Sequence, residues 1–353
     1  MIFREKFIII VCCVLALGFY LEHNFHILDS FKEKTYGTTD RYIVMIEYKK
    51  GYMNNLGRVV IPPQFDDGVE HFREGKVPVK ANGRWGYINN QGQWVISPQF
   101  RKAGLFSEGL AHVVTDASTF GKEGFIDETG RLAIEPKFVD AKDFSEGLAA
   151  VNLSGKWGYV DKSGKMVITP RFSEAESFSE GLAAVKMEGH WCYINWYGVN
   201  VLDPLFDKVR PFSEGLAAVS VKEKWAYIDK DGNLLCDFIF ERASNFSEGL
   251  AAIRQNGQWG FLNTKGEVVI PAQFVEARDF HEGLAAVKVR EENNPKKSGL
   301  WGYISADGKF VIKPQYDAVS DFKGGLARVG KGKDNILRGY INKEGKSIGK
   351  MTR

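Results

Sequence analysis

Cysteine is scarce in this chain: there are four in 353 residues, and two of them, Cys12 and Cys13, sit in an apolar run near the start. The other two, Cys192 and Cys236, cannot staple a body of more than 300 residues, so a disulfide scaffold is excluded as the source of stability. Charge of one sign is lacking as well. The formal net charge is +3, with Lys and Arg scattered among Asp and Glu, whereas nucleic-acid binding needs a concentrated basic face. Zinc-ligand spacings, a phosphate loop, a dinucleotide fingerprint and a Gly-x-Ser-x-Gly elbow are missing. The six histidines are dispersed, and His23-x-x-His26 has no third ligand nearby. Cofactor, metal and enzyme chemistry therefore have no visible seat.

Long hydrophobic runs are lacking too. The longest, Phe7 to Leu21, follows Arg4 and Lys6 and gives way to polar sequence at Glu22. As a helix it would span roughly 22 Å, short of the roughly 30 Å hydrocarbon core. It fits the apolar core of a signal peptide, with Ala16-Leu17-Gly18 as the cleavage site. The alternative is an uncleaved anchor extended by Ile2 and Phe3, its basic residues kept in the cytoplasm. We read residues 1–21 as signal peptide or anchor, 22–40 as linker and 41–350 as the body. Either reading puts the N-terminus in contact with a membrane and the body outside the cytoplasm, periplasmic, membrane-anchored or secreted.

What the chain does have is a repeat. Phe-Ser-Glu-Gly-Leu-Ala recurs from Phe106, Phe144, Phe178, Phe212 and Phe246, with looser copies from Phe72, Phe280 and Phe322. The spacings are 34, 38, 34, 34, 34, 34 and 42 residues. A fixed period fixes the architecture ahead of any local propensity. In the copy from Phe144, a turn leads into a strand ending at Val151, and Lys156 to Asp161 form a second strand rich in aromatic and β-branched residues. Asp161-Lys-Ser-Gly164 reads as a type I turn whose glycine takes φ > 0 and forms a bulge. Met166-Val167-Ile168 is a third strand, which Pro170 is expected to end. One unit is thus a three-stranded meander of 34 residues, and about nine can be traced. Apolar or tiny residues lie on both faces, so each unit must be covered by neighbours on both sides. The fold class is all-β, an open superhelical stack of these units, with a propeller-like closure in which the stretch from Phe172 to Phe178 supplies a fourth strand as the alternative, preceded by one N-terminal hydrophobic helix.

The run Lys-Trp-Gly-Tyr-Val-Asp-Lys-Ser-Gly-Lys-Met-Val-Ile-x-Pro, with Phe-Ser-Glu-Gly-Leu-Ala before it, closely resembles the bacterial WG (or KWG) repeats. Trp-Gly stands at Trp85, Trp157, Trp259 and Trp301, with the variants Trp191-Cys192 and Trp225-Ala226; the copy after Phe106 has Glu123-Gly124 instead. The resemblance covers about 300 residues and implies an interaction module of envelope or secreted proteins, without catalysis.

Within this frame the regular polar features read as structural. The turn glutamates (Glu74, Glu108, Glu146, Glu180, Glu214, Glu248, Glu282) could form a carboxylate ladder, but one copy per unit suits a turn hydrogen bond better than catalysis. Trp85, Trp157, Trp191, Trp225, Trp259 and Trp301 read as repeat-defining core. Cys192 and Cys236 replace Gly and mostly Ile and read as small apolar fillers, a bridge between them being the lesser alternative. Trp94, Trp196 and Tyr197 break the pattern near the hairpin turns and are the aromatics to stack on a glycan. Extra residues enter three units at one equivalent loop: 115–119, 290–298 and 330–335. The charged loop with Arg290, Lys296 and Lys297 marks an edge for a partner protein. The expectation is a non-enzymatic binding protein of the cell envelope, with an envelope or secreted protein as partner and a cell-wall glycan as the alternative ligand.

Overall fold

The computed structural model describes residues 40–46, 48–117, 121–290, 299–332 and 339–348. The expected N-terminal helix, nearly all of the linker, and Lys296 and Lys297 lie outside these residues.

Nine small antiparallel sheets follow one another along the chain, seven of four strands and two of three. We number them as blades 1 to 9. Blade 4 shows the pattern: Asp140–Ala141, Leu148–Leu153, Lys156–Asp161 and Met166–Phe172, hydrogen-bonded in that order. The two-residue first strand is the fourth strand expected between successive phenylalanines. It belongs to the sheet that follows, so Glu174–Ala175 opens blade 5. The last strand is longer than the sequence suggested. It runs through Pro170 to Phe172, because the ladder skips from Tyr159↔Ile168 to Trp157↔Phe172. Proline needs no N–H at such an irregularity.

That irregularity explains the glycine of Trp-Gly. A Cβ on Gly86, Gly124, Gly260 or Gly302 would stand 2.5 Å from the carbonyl oxygen of the Ile that precedes the bulge. The bulge leans on the middle strand, and only a bare Cα admits it. Blade 6 tests the relation from the other side. It carries Ala226 for Gly, Cys236 for Ile and Phe238 for Pro, and its fourth strand is reduced to the isolated bridges Trp225↔Phe240 and Ile228↔Leu234. Blade 5 keeps its last strand, Asn200–Phe206, despite Cys192, so the loss in blade 6 follows from the set of substitutions and not from one.

Both faces of each blade are buried, as the two-sided apolar pattern requires. Leu148, Ala149, Ala150 and Val151 are all inaccessible or nearly so. Ala150, Tyr159 and Ile168 of blade 4 pack on Phe178, Val185 and Ile194 of blade 5, while Ala149, Val151 and Val160 pack on Phe125 and Phe138 of blade 3. The tyrosine of Trp-Gly-Tyr adds a polar tie. Its hydroxyl donates to a carbonyl of the next blade, as in Tyr159 to Glu176 (2.7 Å), Tyr193 to Arg210 (2.6 Å) and Tyr227 to Ser244 (2.8 Å). Burial pushes each of these phenols above its ordinary range, so they remain donors throughout the neutral range.

The array is closed. An open stack of nine blades has eight interfaces, but there are nine inter-blade cores. The ninth joins Tyr42 and Met53 of blade 1 to Leu326 and Tyr340 of blade 9. Tyr340 makes the usual tyrosine bond, here to Ile43 O at 3.1 Å, and the Tyr42 hydroxyl donates to Gly324 O at 2.5 Å. The open stack expected from the repeat is thus corrected to its alternative, the propeller-like closure, because the apolar faces of blades 1 and 9 bury each other instead of being left as two exposed ends. Among the described residues no strand is exchanged at the seam: the strands of blade 1 come from residues 42–65 and those of blade 9 from 318–348. Packing and side-chain hydrogen bonds between described residues join the two ends of the ring.

Candidate functional site

Antiparallel strands give the ring two faces. The Phe-Ser-Glu-Gly turns and the Asp/Asn–Gly turns lie on one, the turn face. The hairpins between second and third strands and the crossings between blades lie on the other, the hairpin face. The first strands are innermost: Arg73 of blade 2 reaches Asp143 of blade 4 at 3.1 Å, past blade 3, and only side chains near the axis can do so.

On the turn face, polar groups are committed to the fold. Each turn glutamate has a positive φ of 49–56° and accepts from the backbone N–H of the glycine one blade on: Glu146 from Gly181, Glu180 from Gly215, Glu214 from Gly249, each at 2.9 Å. The serine beside it does likewise, Ser179 Oγ donating to Phe212 O. Lys162, Lys230 and Lys343 then cap Glu108, Glu180 and Glu282 at 3.1–3.2 Å. The carboxylates thus bind the neighbouring turn rather than their own, and the row is a girdle of inter-blade ties. The Asp and Asn of the other turns act as expected: Asp161 Oδ1 accepts from Ser163 N and Lys165 N, with Gly164 at φ +80°.

Blade 3 departs from its neighbours where the sequence does. Glu123 in the tryptophan position is buried and meets Lys102 and His112, and His112 continues to Asp143 at 3.4 Å. Burial alone would raise the Glu123 carboxyl, but the hydrogen bonds from His112 and Lys102 outweigh it and hold the group below its usual range. Gly104 leaves room for the His112 ring, which a Cβ would overlap. The three residues act as one substitution, a charged network standing in for an indole.

The sequence-derived candidates are scattered. Trp94 opens the last strand of blade 2 and stacks edge-on against Phe65 of blade 1 (centroids 5.7 Å), as Phe310 does on Phe274 (6.4 Å). Trp196 and Tyr197 lie in a turn of blade 5, 48% and 84% exposed. Arg290 is exposed where the second strand of blade 8 ends, on the hairpin face. The structure brings none of these together beyond the adjacent Trp196 and Tyr197. The described residues that open the three insertions, Thr115, Arg290 and Lys331, follow the second strands of blades 3, 8 and 9 on the hairpin face; the later residues of each insertion lie outside the described residues. Cys192 and Cys236 form no disulfide among the described residues; Cys192 is fully buried, its Sγ donating to Val185 O, and burial raises the Cys236 thiol. Among the described residues, no group of three or more His, Cys, Asp or Glu side chains is arranged to hold a metal ion.

The repeat tryptophans are only partly the core the sequence suggested. Trp301 is 7% exposed, whereas the other five are half-buried. They start the third strand, so each ring lies at the mouth of an inter-blade interface on the hairpin face. Cations cover several of them: Lys186 over Trp191, Lys288 over Trp301 and Arg210 over Trp225, at 5.6–5.9 Å.

Between blades 6 and 7 this mouth widens into a cleft of about 540 Å³ holding Trp225 and Trp259 with Lys208, Arg210, Lys222, Lys224 and Arg242. Glu223 and Glu241 are its acids. In blades 2, 3, 5 and 8 the first residue of the innermost strand is charged and paired, Asp67 of blade 2 with Lys50. Glu174 pairs with Lys186 at 2.8 Å, Glu276 with Lys288 at 2.9 Å, and Lys102 with Glu123. In blades 6 and 7 that residue is basic, Lys208 facing Ser220 and Arg242 facing Arg254. Arg210 Nε is committed to Ala243 O at 2.9 Å, and Glu241 to Gly257 N and Arg254. The side chains of Lys208, Lys222, Lys224 and Arg242 form no ion pair with any described residue. Sequence reasoning missed this site. The available signal was comparative: Lys208 and Arg242 stand where several other copies have an acid, and Lys222-Glu223 where most have a hairpin glycine.

A family model for WG-containing repeats matches the chain eight times, over residues 51–85, 85–116, 124–157, 157–191, 193–225, 225–259, 259–291 and 301–333. No curated protein sequence matches the chain significantly. Among solved structures, a crystal structure of a eukaryotic initiation factor superposes with TM-score 0.62 at 11% identity, over 88% of this chain and 95% of that one. That likeness is one of fold. Kluyveromyces lactis Hsv2p aligns more loosely, with TM-score 0.40 and 12% identity over 67% of this chain and 97% of that one.

Proposed function

Because the chain belongs to the family of WG-containing repeat proteins and closes nine such units into one propeller-like ring, we propose that it is a non-enzymatic binding scaffold that holds a partner protein on its hairpin face. The carrying observation is the contrast between the two faces. The turn glutamates and their serines are spent on ties between blades, whereas the hairpin face bears the residues that open the insertions, half-buried indoles and unpaired cations. Rigid rings with variable loops on one face suit recognition, since the framework fixes the loops in space. The basic N-terminal flank and the apolar run from Phe7 to Leu21 support export, and the partner is then an envelope or secreted protein.

Site-specific photo-crosslinking in intact cells tests this. Crosslinkers at Asp116, Lys222 and Arg290 on the hairpin face should capture a discrete partner, whereas Ser163 and Glu344 on the turn face should not. Equal capture from both faces, or from neither, would refute the reading. One observation favours a second reading: Trp196 and Tyr197 are adjacent and exposed, as a glycan platform requires. Tryptophan emission should then change on titration with cell-wall fragments, and the change should disappear in Trp196→Ala.

A further inference from the structure

We propose that the cleft between blades 6 and 7 is a recognition site for an acidic peptide segment, the chemistry by which the partner is held; this rests on the scaffold reading above. Three independent features converge there. First, Lys208, Lys222, Lys224 and Arg242 lack internal carboxylate partners, so the cleft carries five cations against two acids. All four are exposed, so they attract an incoming carboxylate without an internal pair having to break first. Secondly, Trp225 and Trp259 offer two flat apolar surfaces beside those cations, the usual composition of an anchoring pocket.

Thirdly, the framework is altered where the cleft lies. Lys222 and Glu223 form the hairpin turn with both φ values positive, +48° and +64°. In blades 2, 4, 5 and 7 the second residue of that turn is a glycine: Gly83, Gly155, Gly189 and Gly257. A bulky residue in the left-handed region costs of order 1 kcal/mol or more, and such strain is retained where it places a side chain usefully. Blade 6 is also the one internal blade without a complete fourth strand.

The acids select among anions. Glu223, exposed, and Glu241 would repel a continuous polyphosphate or polysulfate, but they match a peptide that alternates carboxylates with N–H donors. Lysine predominates over arginine, which favours point-charge pairing with carboxylates over bidentate capture of phosphate.

Fluorescence anisotropy with a fluorescein-labelled oligoglutamate peptide tests the assignment on the folded ring, with a Gly-Ser peptide and a heparin oligosaccharide as comparison probes. The wild type should bind oligoglutamate and not the Gly-Ser peptide. Binding should fade as salt rises from about 0.1 M to about 1 M, where the screening length shrinks from about 10 Å to about 3 Å. Lys208→Glu/Lys222→Glu should weaken binding about tenfold or more, with melting unchanged because both side chains are exposed. Lys156→Glu/Lys165→Glu on blade 4, the same change in net charge, should leave it intact. Absent wild-type binding, equal losses in the two variants, or tighter binding of heparin than of oligoglutamate would each overturn the proposal. The two readings fail separately. Partner crosslinks at Asp116 and Arg290 that persist in Lys208→Glu/Lys222→Glu would leave the scaffold standing and remove the acidic-peptide site.

Discussion

Gly302→Ala isolates the physical role of the glycine after the repeat tryptophan. The backbone there is not left-handed, so alanine adds no dihedral strain. The added Cβ would stand 2.5 Å from Ile312 O and 2.8 Å from Pro314 N. The nearest ordinary carbon–oxygen approach is about 3.3 Å, so the last strand of blade 8, Phe310–Tyr316, must retreat by roughly 0.8 Å. A hydrogen bond of ordinary length stretched by that much exceeds the useful range of about 3.2 Å. The Tyr303↔Ile312 and Trp301↔Tyr316 pairings therefore weaken together. Overpacking of this kind costs about 1–3 kcal/mol, and the lower entropy of the unfolded alanine chain returns about 0.4–1 kcal/mol. The net loss is of order 1–2 kcal/mol. Thermal unfolding followed by circular dichroism should show a melting point lower by a few degrees, and hydrogen exchange should show lost protection confined to residues 310–316 and the amides of 300–304 that pair with them. Unchanged melting with unchanged protection of that strand would refute the reasoning.

Other outcomes follow from the same geometry. Tyr340→Phe removes the hydroxyl whose single proton is shared between Glu70 Oε1 at 2.9 Å and Ile43 O at 3.1 Å; a bond to a charged acceptor contributes about 1.5–3 kcal/mol, so amide exchange in blades 1 and 9 should quicken before that of blade 5. Tyr193→Phe, which loses the same kind of bond inside the ring, should cost about 1 kcal/mol and leave the seam amides unaffected. The Glu123 carboxyl is depressed in the folded state, so its contribution to stability is full above its ordinary value of about 4.3 and is lost as pH falls through the depressed one. Chemical denaturation of wild type and Glu123→Gln from neutral to acid pH should therefore give midpoints that differ at neutral pH and converge in acid. Glu180→Ala leaves the Gly215 N–H unpaired and strips Lys230 of its partner, and exchange of the Gly215 amide should rise.

Much of the ring was legible because its units repeat. Nine turn glycines at one register, each with Asp, Asn or Ser three residues before it, fixed the last hairpin of every unit, and all nine have positive φ. Two-sided burial was legible from Leu148-Ala-Ala-Val151, where no residue was polar enough to face water. Closure was not, because Tyr42 and Tyr340 reveal their partnership only when blades 1 and 9 meet. The extension of the last strand past Pro170 was hidden by the usual meaning of proline, which a bulge suspends. The basic cleft was hidden for another reason. Lys208 and Arg242 are ordinary in composition, and they matter only because Glu174 and Glu276 neutralise the same position elsewhere. Periodicity exposes what the units share, whereas a binding site arises where one unit differs.

Closure of the ring is tested most directly by a distance. Spin labels on Leu56 and Glu344, the residues before the turn glycines of blades 1 and 9, span the seam; labels on Ser163 and Tyr197 span the interface between blades 4 and 5 at the same register. All four positions are exposed. Pulsed electron paramagnetic resonance should give the two pairs the same short, narrow distance distribution. A seam pair far longer or broader than the internal pair would show an open array and contradict the account.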